Sequence, residues 1–246
     1  MITRIEASAL GHFRFFPEKI GHRVEEEKGL TFIICGLGSS MFNIVYGGGN
    51  AESIHDVINE FNGQPFAWWV PPSQHSPELT DKLQKSGFKV EAAEQAMICD
   101  LSAFEYDENT IDLEIAQATN RDQLNDFISV LEPYDHTARL FYEQLPISLL
   151  DANEKLFVGY KEDKPVVIGI LYHQDDTAGI FSLLTDESQR GQGLGTKMMR
   201  YMMNAAKENG AKFASLSASS DSGFRIYERL GFNSVGRFEC FEWHTA

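Results

Sequence analysis

Twice along this chain the same order of elements is written: strand, helix, strand, helix, Gly-Phe, strand. In the first half MFNIVYG (Met41–Gly47) has the make-up of a strand, and AESIHDVINEFNG (Ala51–Gly63) puts Ile54, Val57, Ile58 and Phe61 on one helical face. PFAWWV (Pro65–Val70) reads as a buried strand. SPELTDKLQKSGF (Ser76–Phe88) reads as a helix stopped at Gly87-Phe88, and QAMICDL (Gln95–Leu101) as the strand after it. The second half repeats this from GIFSLLT (Gly179–Thr185) onward. A helix over Thr196 to about Asn209, the strand KFASLSAS and a helix ending FRIYERL lead to Gly231-Phe232, then a strand near RFECFEW. Strands alternating with helices place the chain in the α/β class. A repeated order with a shared Gly-Phe stop indicates a duplicated half-unit.

The second half has more elements ahead of its repeat. IDLEIAQ (Ile111–Gln117) alternates like a strand, and TNRDQLNDFISVL is a capped helix with Leu124, Phe127, Ile128 and Leu131 at helical spacing. YDHT interrupts it, and ARLFYEQLPISLL reads as a second helix disturbed at Pro146. The run Leu156–Thr185 reads as three strands with turns at KEDKP and QDDT. The polar stretch LSAFEYDENT (Leu101–Thr110) is the expected linker, giving domains 1–105 and 111–246.

Composition narrows the partners. Of 246 residues 43% are hydrophobic and 23% charged, as in an ordinary globular chain large enough for a buried core. The formal net charge of -15 argues against nucleic acid or an anionic membrane as main partner, and suits cationic small molecules or simple solubility. Cys35, Cys99 and Cys240 are odd in number and unpaired in spacing, and the histidines lack metal-ligand spacing, so neither a disulfide framework nor a metal site is expected. His12 and Arg14 stand where a signal peptide would be apolar, and no run reaches the length of a membrane span. A cytoplasmic protein is expected, with an oligomer left open.

The segment SQRGQGLGTKMM (Ser188–Met199) needs a bare backbone between a strand and a helix. Free N–H groups and the positive end of a helix dipole favour a phosphate there. Gly195-Thr196-Lys197 has the wrong order for a Walker loop, and Met198 stands where a dinucleotide fingerprint needs its third glycine. The spacing that fits is Arg190-x-x-Gly193-x-Gly195, with Gly191 added. Between Asp186 and Phe232 there are seven Lys/Arg against five Asp/Glu, a mildly cationic island in an acidic chain.

That loop resembles the acyl-CoA pyrophosphate loop of the GNAT superfamily of N-acetyltransferases. FRIYERLGF resembles the same family's helix with a tyrosine four residues before a Gly-Phe turn. The resemblance covers Ile111 to Trp243, and PFAWWVPPSQHSPELTDKLQKSGF resembles the degenerate first half of tandem-type members. It implies a mixed-sheet GNAT fold, duplicated with an incomplete N-terminal copy, and acetyl transfer from acetyl-CoA to an amine. The loop Arg190, Gly191, Gln192, Gly193, Leu194, Gly195 and Thr196 would hold the pyrophosphate, and Leu183, Leu184 and Thr185 the pantetheine arm. Tyr227 would protonate the departing thiolate, the alternative being a tyrosine packed at a helix end. Arg190 either closes over the pyrophosphate or is a solvated loop charge. Ser220 stands where many members have asparagine; it either bonds the cofactor or does nothing.

No metal is implied. Ile180–Thr185 holds no carboxylate, so no general base is evident; Asp186 and Glu187 lie beyond it, and a water chain is the alternative. Glu132, Tyr134, Asp135 and His136 fall where the family shapes its acceptor pocket, with Glu143 near; an ordinary turn with a surface Asp-His pair reads equally well. The acceptor is a small-molecule or peptide amine that the sequence does not name. In the first half GGGNAES (Gly47–Ser53) lacks the loop spacing and reads as a turn rather than an anion nest, and Leu83 stands where the acid tyrosine would be. Trp68 and Trp69 read as core and interface, and the methionines of KMMRYMMNAA as helix core. The rival readings are a non-catalytic acyl-CoA-binding or regulatory module and a nucleotide-phosphate binder.

Overall fold

The computed structural model describes residues 1–48, 54–91, 93–107 and 111–244. The third glycine of the Gly47–Gly49 turn, the start of the helix expected at Ala51, the end of the linker (108–110) and the last two residues lie outside the described residues.

The chain opens with α1 (Ile2–Lys19), then the hairpin β1 (Arg23–Glu27) and β2 (Leu30–Ile34). Lys28 and Gly29 turn that hairpin with φ of 51° and 79°, the paired positive values of a two-residue hairpin loop. β3 (Asn43–Tyr46), α2 (Ile54–Glu60) and β4 (Phe66–Val70) follow, then α3 (Pro77–Lys85), β5 (Lys89–Val90) and β6 (Glu94–Asp100). Ser76 caps α3, accepting from the Leu79 N–H, and Pro77 sits at its first turn where the missing N–H costs nothing. The second half has β7 (Glu114–Gln117), α4 (Arg121–Leu131), α5 (Ala138–Tyr142), β8 (Glu154–Lys161), β9 (Lys164–Gln174) and β10 (Thr177–Thr185). It ends with α6 (Leu194–Glu208), β11 (Phe213–Ala218), α7 (Asp221–Arg229) and β12 (Asn233–Trp243). The second helix expected over ARLFYEQLPISLL shrinks to the short α5, with a separate turn at Ile147–Leu149. Pro146 removes a helical N–H and drives residue 145 out of helical geometry.

One mixed sheet runs β1-β2-β3-β4-β12-β6-β11-β10-β9-β8-β7, with β5 added beside β12. Each half holds a parallel pair, β3 with β4 and β10 with β11, preceded by an antiparallel neighbour. The halves then exchange their last strands. β6 lies between β11 and β12, while β12 pairs with β6 over Asn233–Phe238 and with β4 over Glu239–Trp243. Strand pairing therefore crosses the expected linker in both directions, and 1–105 and 111–246 are not separate sheets.

α1 lies across the middle of this sheet. Ile5, Ala9 and Phe16 are buried along one of its faces at helical spacing. It approaches closely enough that a Cβ on Gly11 would meet the Tyr172 ring at 2.5 Å, and one on Gly179 would run into Ser8 Oγ. Arg4 closes its start with a two-pronged pair to Asp176, at 3.0 and 2.9 Å. The methionines 198, 199, 202 and 203 are fully buried under the second half, and Trp68 is fully buried in the first with its indole N–H on the Gly47 carbonyl, 2.8 Å.

Candidate active site

β10 and β11 pair only at Thr177–Gly179 with Phe213–Ser215 and then separate. Opposite Gly169 of β9, β10 carries two residues, Ser182 and Leu183, between its paired positions Phe181 and Leu184. This is a β-bulge, and Ser182 takes a φ of 48° to make it. Past Gly179 the edge of β10 that faces β11 has lost its strand partner, so its backbone groups are available to a ligand in the gap. Leu184 and Thr185 return to register with Ile168 and Val167, while Leu183 faces a cavity.

The glycine loop follows at once. Gly191 and Gly193 have φ of 78° and 79°, a left-handed conformation that glycine adopts without strain. Gly193 is the N-cap of α6, and no side chain caps that helix. Its first-turn N–H groups, from Leu194 to Thr196, are the donor set a pyrophosphate requires. The Leu194 side chain is buried, so only its backbone serves that set. Gln192 accepts from Lys161 Nζ at 2.6 Å. Arg190 is clipped rather than free: Nη2 donates to the Tyr134 hydroxyl at 2.6 Å and Nε to the Thr185 carbonyl at 3.3 Å. Asp186 caps the short turn ahead of the loop by accepting from the Ser188 N–H, 3.0 Å, and Glu187 is exposed.

A cavity of about 730 Å³ lies between this strand gap, α1 and the first half of the sheet. Leu183, Tyr134, Asp135 and Tyr227 all line it, so four of the candidates named from the sequence meet around one space. Tyr227 stands in the last turn of α7, and its hydroxyl has no hydrogen-bond partner among the described residues. Burial, and secondly the charge of Glu94, push its phenol above the ordinary value. Glu94, at the head of β6, is itself pushed up by burial, with Ser217 opposing. Asp135 accepts from the Thr137 N–H and hydroxyl, at 2.7 and 2.6 Å, and from Ser39 of the first half.

The other candidates go elsewhere. Glu132 is taken by Arg139, with both carboxylate oxygens engaged at 2.9 Å, and Arg139 also holds Glu143. The guanidinium holds the Glu132 carboxyl below the usual range. His136 is exposed and does not line the cavity. Ser220 caps α7, accepting from the Gly223 N–H at 3.2 Å.

Sequence reasoning missed the cavity's other polar groups. His12 of α1 lies with Nδ1 3.1 Å from Glu154 Oε1, and its ring stacks on Phe181 at 3.9 Å between centroids. Glu94 and Glu242 come from the exchanged strands β6 and β12, and Glu91 from the segment just ahead of β6. A glutamate at the head of a strand reads as a solvated strand end, and only the sheet order reveals where it faces. Among the described residues no cluster of His, Cys, Asp and Glu is placed to hold a metal, and no helix is long and apolar enough to cross a membrane.

A splayed parallel pair, a bulge beside the gap and a glycine loop feeding an uncapped helix define a GNAT-type fold. Residues 117–232 match the model of the acetyltransferase (GNAT) family. No curated protein sequence matches the chain. A GCN5-related N-acetyltransferase from Kribbella flavida superposes with a TM-score of 0.73 at 15% identity, over 100% of this chain and 96% of that one. A functionally unknown conserved protein from Staphylococcus epidermidis gives 0.69 at 14% identity, over 96% and 100%. A GCN5-related N-acetyltransferase-like protein from Streptococcus suis gives 0.63 at 15%, over 99% and 100%. Residues 117–232 therefore form a GNAT-family domain, and the chain as a whole shares the fold of these solved structures.

Proposed function

We propose that the chain is an N-acetyltransferase that moves an acetyl group from acetyl-CoA to the amine of a cationic acceptor. The observation that carries this reading is the meeting, on one cavity, of the bulged strand and an unpartnered, protonated tyrosine, with the uncapped glycine loop beside it. The N–H groups of Gly191 to Thr196 suit the pyrophosphate, and Arg190, already beside the loop, closes over it. The free edge of β10 at Leu183–Thr185 suits the amide groups of the pantetheine arm, and a backbone N–H there suits the developing oxyanion. A bound thioester supplies the activated acyl carbon. Tyr227 holds a proton that the departing thiolate takes up.

The acceptor's class is argued from charge. Glu91, Glu94, Asp135, Glu154 and Glu242 line the cavity, and among the described residues no Lys or Arg does. An amine with one or more positive charges is drawn to such walls, and an anionic acceptor or nucleic acid is repelled. Trp69, Phe42 and Phe13 give the first half's side of the cavity an aromatic surface for the acceptor's body. The first half on this reading shapes the acceptor site and binds no cofactor of its own. We place the reaction in the cytoplasm, a reducing compartment that suits three free cysteines.

The test is thiol release from acetyl-CoA with a panel of amines: a diamine, a polyamine, an aminoglycoside, an amino acid and a peptide N-terminus. Release with a cationic member supports the reading. CoA binding by calorimetry without release from any amine supports a binding module instead.

A further inference from the structure

We propose that His12, held by Glu154, is the base that takes the proton from the acceptor's ammonium group, so that the half of the chain without a complete glycine loop supplies a catalytic residue. The proposal rests on the acyl-transfer reading above.

β10 has no carboxylate between Ile180 and Thr185 to do this work. The group that stands over this stretch comes from α1. The His12 ring lies flat on Phe181, 10° from parallel, immediately before the bulged residues Ser182 and Leu183. Its position is fixed twice over. The stacking sets the plane of the ring, and Glu154 at the head of β8 engages Nδ1. Nε2 is the nitrogen left for a ligand; no hydrogen bond among the described residues reaches it, and His12 lines the cavity.

Glu154 is the less expected member. It is 1% exposed, and its second oxygen, Oε2, has no partner. Burial pushes the Glu154 carboxyl up, with His12 opposing. Its contact with Nδ1 at 3.1 Å, together with the stacking on Phe181, fixes the ring so that Nε2 is the nitrogen presented to the cavity, which is the geometry a base needs. The other titratable groups around the pair do not compete. Tyr142 of α5 and Tyr172 of β9 are both held protonated, first by burial and then by the charge of Glu154, and β10 presents only Phe181. Glu94 and Tyr227 lie on the same cavity and interact with each other.

The step balances as follows. The ammonium gives one proton to His12 Nε2, which passes it to solvent after turnover. The free amine's electron pair forms the N–C bond to the thioester carbonyl carbon as the C–S bond breaks. The leaving thiolate takes the Tyr227 proton, and the proton still on the acylated nitrogen returns to the tyrosine oxygen. One proton is released overall. Glu154 touches no reacting atom; it is a positioning residue.

The test uses the full chain, acetyl-CoA and the panel amine that releases most thiol, with His12→Gln and Glu154→Gln. His12→Gln is expected to lower kcat about a hundredfold or more at neutral pH, with CoA affinity unchanged. Its rate should rise steadily with pH, following the free amine, instead of showing an acidic limb that levels off. Glu154→Gln keeps an oxygen for Nδ1–H but can also turn its amide N–H toward that nitrogen, so kcat should fall by less than in His12→Gln, with CoA affinity unchanged. A wild-type rate and pH profile in His12→Gln overturns the proposal. Nitrogen-15 spectra of the histidine-labelled chain read the pair without turnover. They should show the neutral His12 ring with its proton on Nδ1; a proton on Nε2, with Glu154 donating to Nδ1, overturns the assignment. Failure of the acyl-transfer reading is a separate result: no amine then elicits thiol from the wild-type chain, and the base role falls with it whatever the tautomer.

Discussion

Tyr227 keeps its proton because its phenol is buried and faces the cavity with Glu94. Both causes raise it, so the sign is simple: the acid form persists to higher pH than that of a free phenol, near about 10. Tyr227→Phe should leave CoA affinity unchanged and slow turnover about a hundredfold or more, since the ring still packs while the proton is gone. Wild-type kcat in that variant would make Tyr227 structural. Glu94→Gln removes the second cause, so the basic limb of the pH–rate profile should move toward lower pH. A limb that stays in place means Glu94 does not act on the tyrosine. On the loop, Gly193 sits at φ 79°, and a Cβ there would meet Ile111 Cδ1 at 2.8 Å. Gly193→Glu adds a carboxylate beside the phosphate donors and should weaken CoA binding on the order of tenfold or more. Calorimetry with unchanged affinity in a folded variant removes the loop from the site. These residues were legible because their chemistry is local: a spacing of glycines, and a tyrosine four before a turn. His12, Glu94 and Glu154 were not, because each becomes a cavity group only through a strand or helix distant in sequence.

At the scale of elements, α1 decides how much of the cavity exists, since it lies over β9, β10 and β11 and carries His12. Its seat is tight at Gly11, where a Cβ would meet Tyr172 Cε1 at 2.5 Å and the hydroxyl at 2.7 Å. Gly11→Ala forces either the helix or the tyrosine to shift, and overpacking of this kind costs about 1–3 kcal/mol. Thermal unfolding should register that loss, and turnover should fall with it because the His12 ring moves off Phe181. An unchanged melting temperature would show that the Tyr172 ring yields freely. The helix is hard to read from the sequence although Ile5, Ala9 and Phe16 carry the helical period, because Gly11 and Pro17 inside it are residues that ordinarily weaken or end a helix. The β1–β2 hairpin is hard to read for a different reason. RVEEE is almost entirely polar, so this edge strand lacks the alternation that marks a half-buried one, and Lys28-Gly29 is a weaker turn signal than Asn-Gly. The strands from Leu156 to Thr185 were legible throughout because they are continuous apolar runs broken by turns at Glu162-Asp163 and Asp175, which take positive φ.

For the whole molecule, the repeated order of elements was readable and the exchange of last strands was not. QAMICDL ends one repeat and RFECFEW the other, and nothing in either segment says which parallel pair it will join. The exchange makes the halves mutually dependent. A fragment starting at Ile111 lacks β6, leaving β11 with one bare edge and β12 without its Asn233–Phe238 partner. The fragment 1–105 lacks β12, which pairs with Val70 through Phe66, and so exposes the edge of β4. Unpaired central strands are both unsatisfied and aggregation-prone. Each fragment expressed alone should therefore be insoluble or largely unfolded by circular dichroism. Expressed together, they should assemble through the exchanged strands into a one-to-one complex that binds a single CoA, because only the second half has an Arg-x-x-Gly-x-Gly loop entering a helix. Gel filtration with calorimetry on the co-expressed pair measures both numbers. A stable, active fragment 111–246, or binding of two CoA per pair, would show that the second half is complete without β6, or that the first half holds a cofactor site of its own.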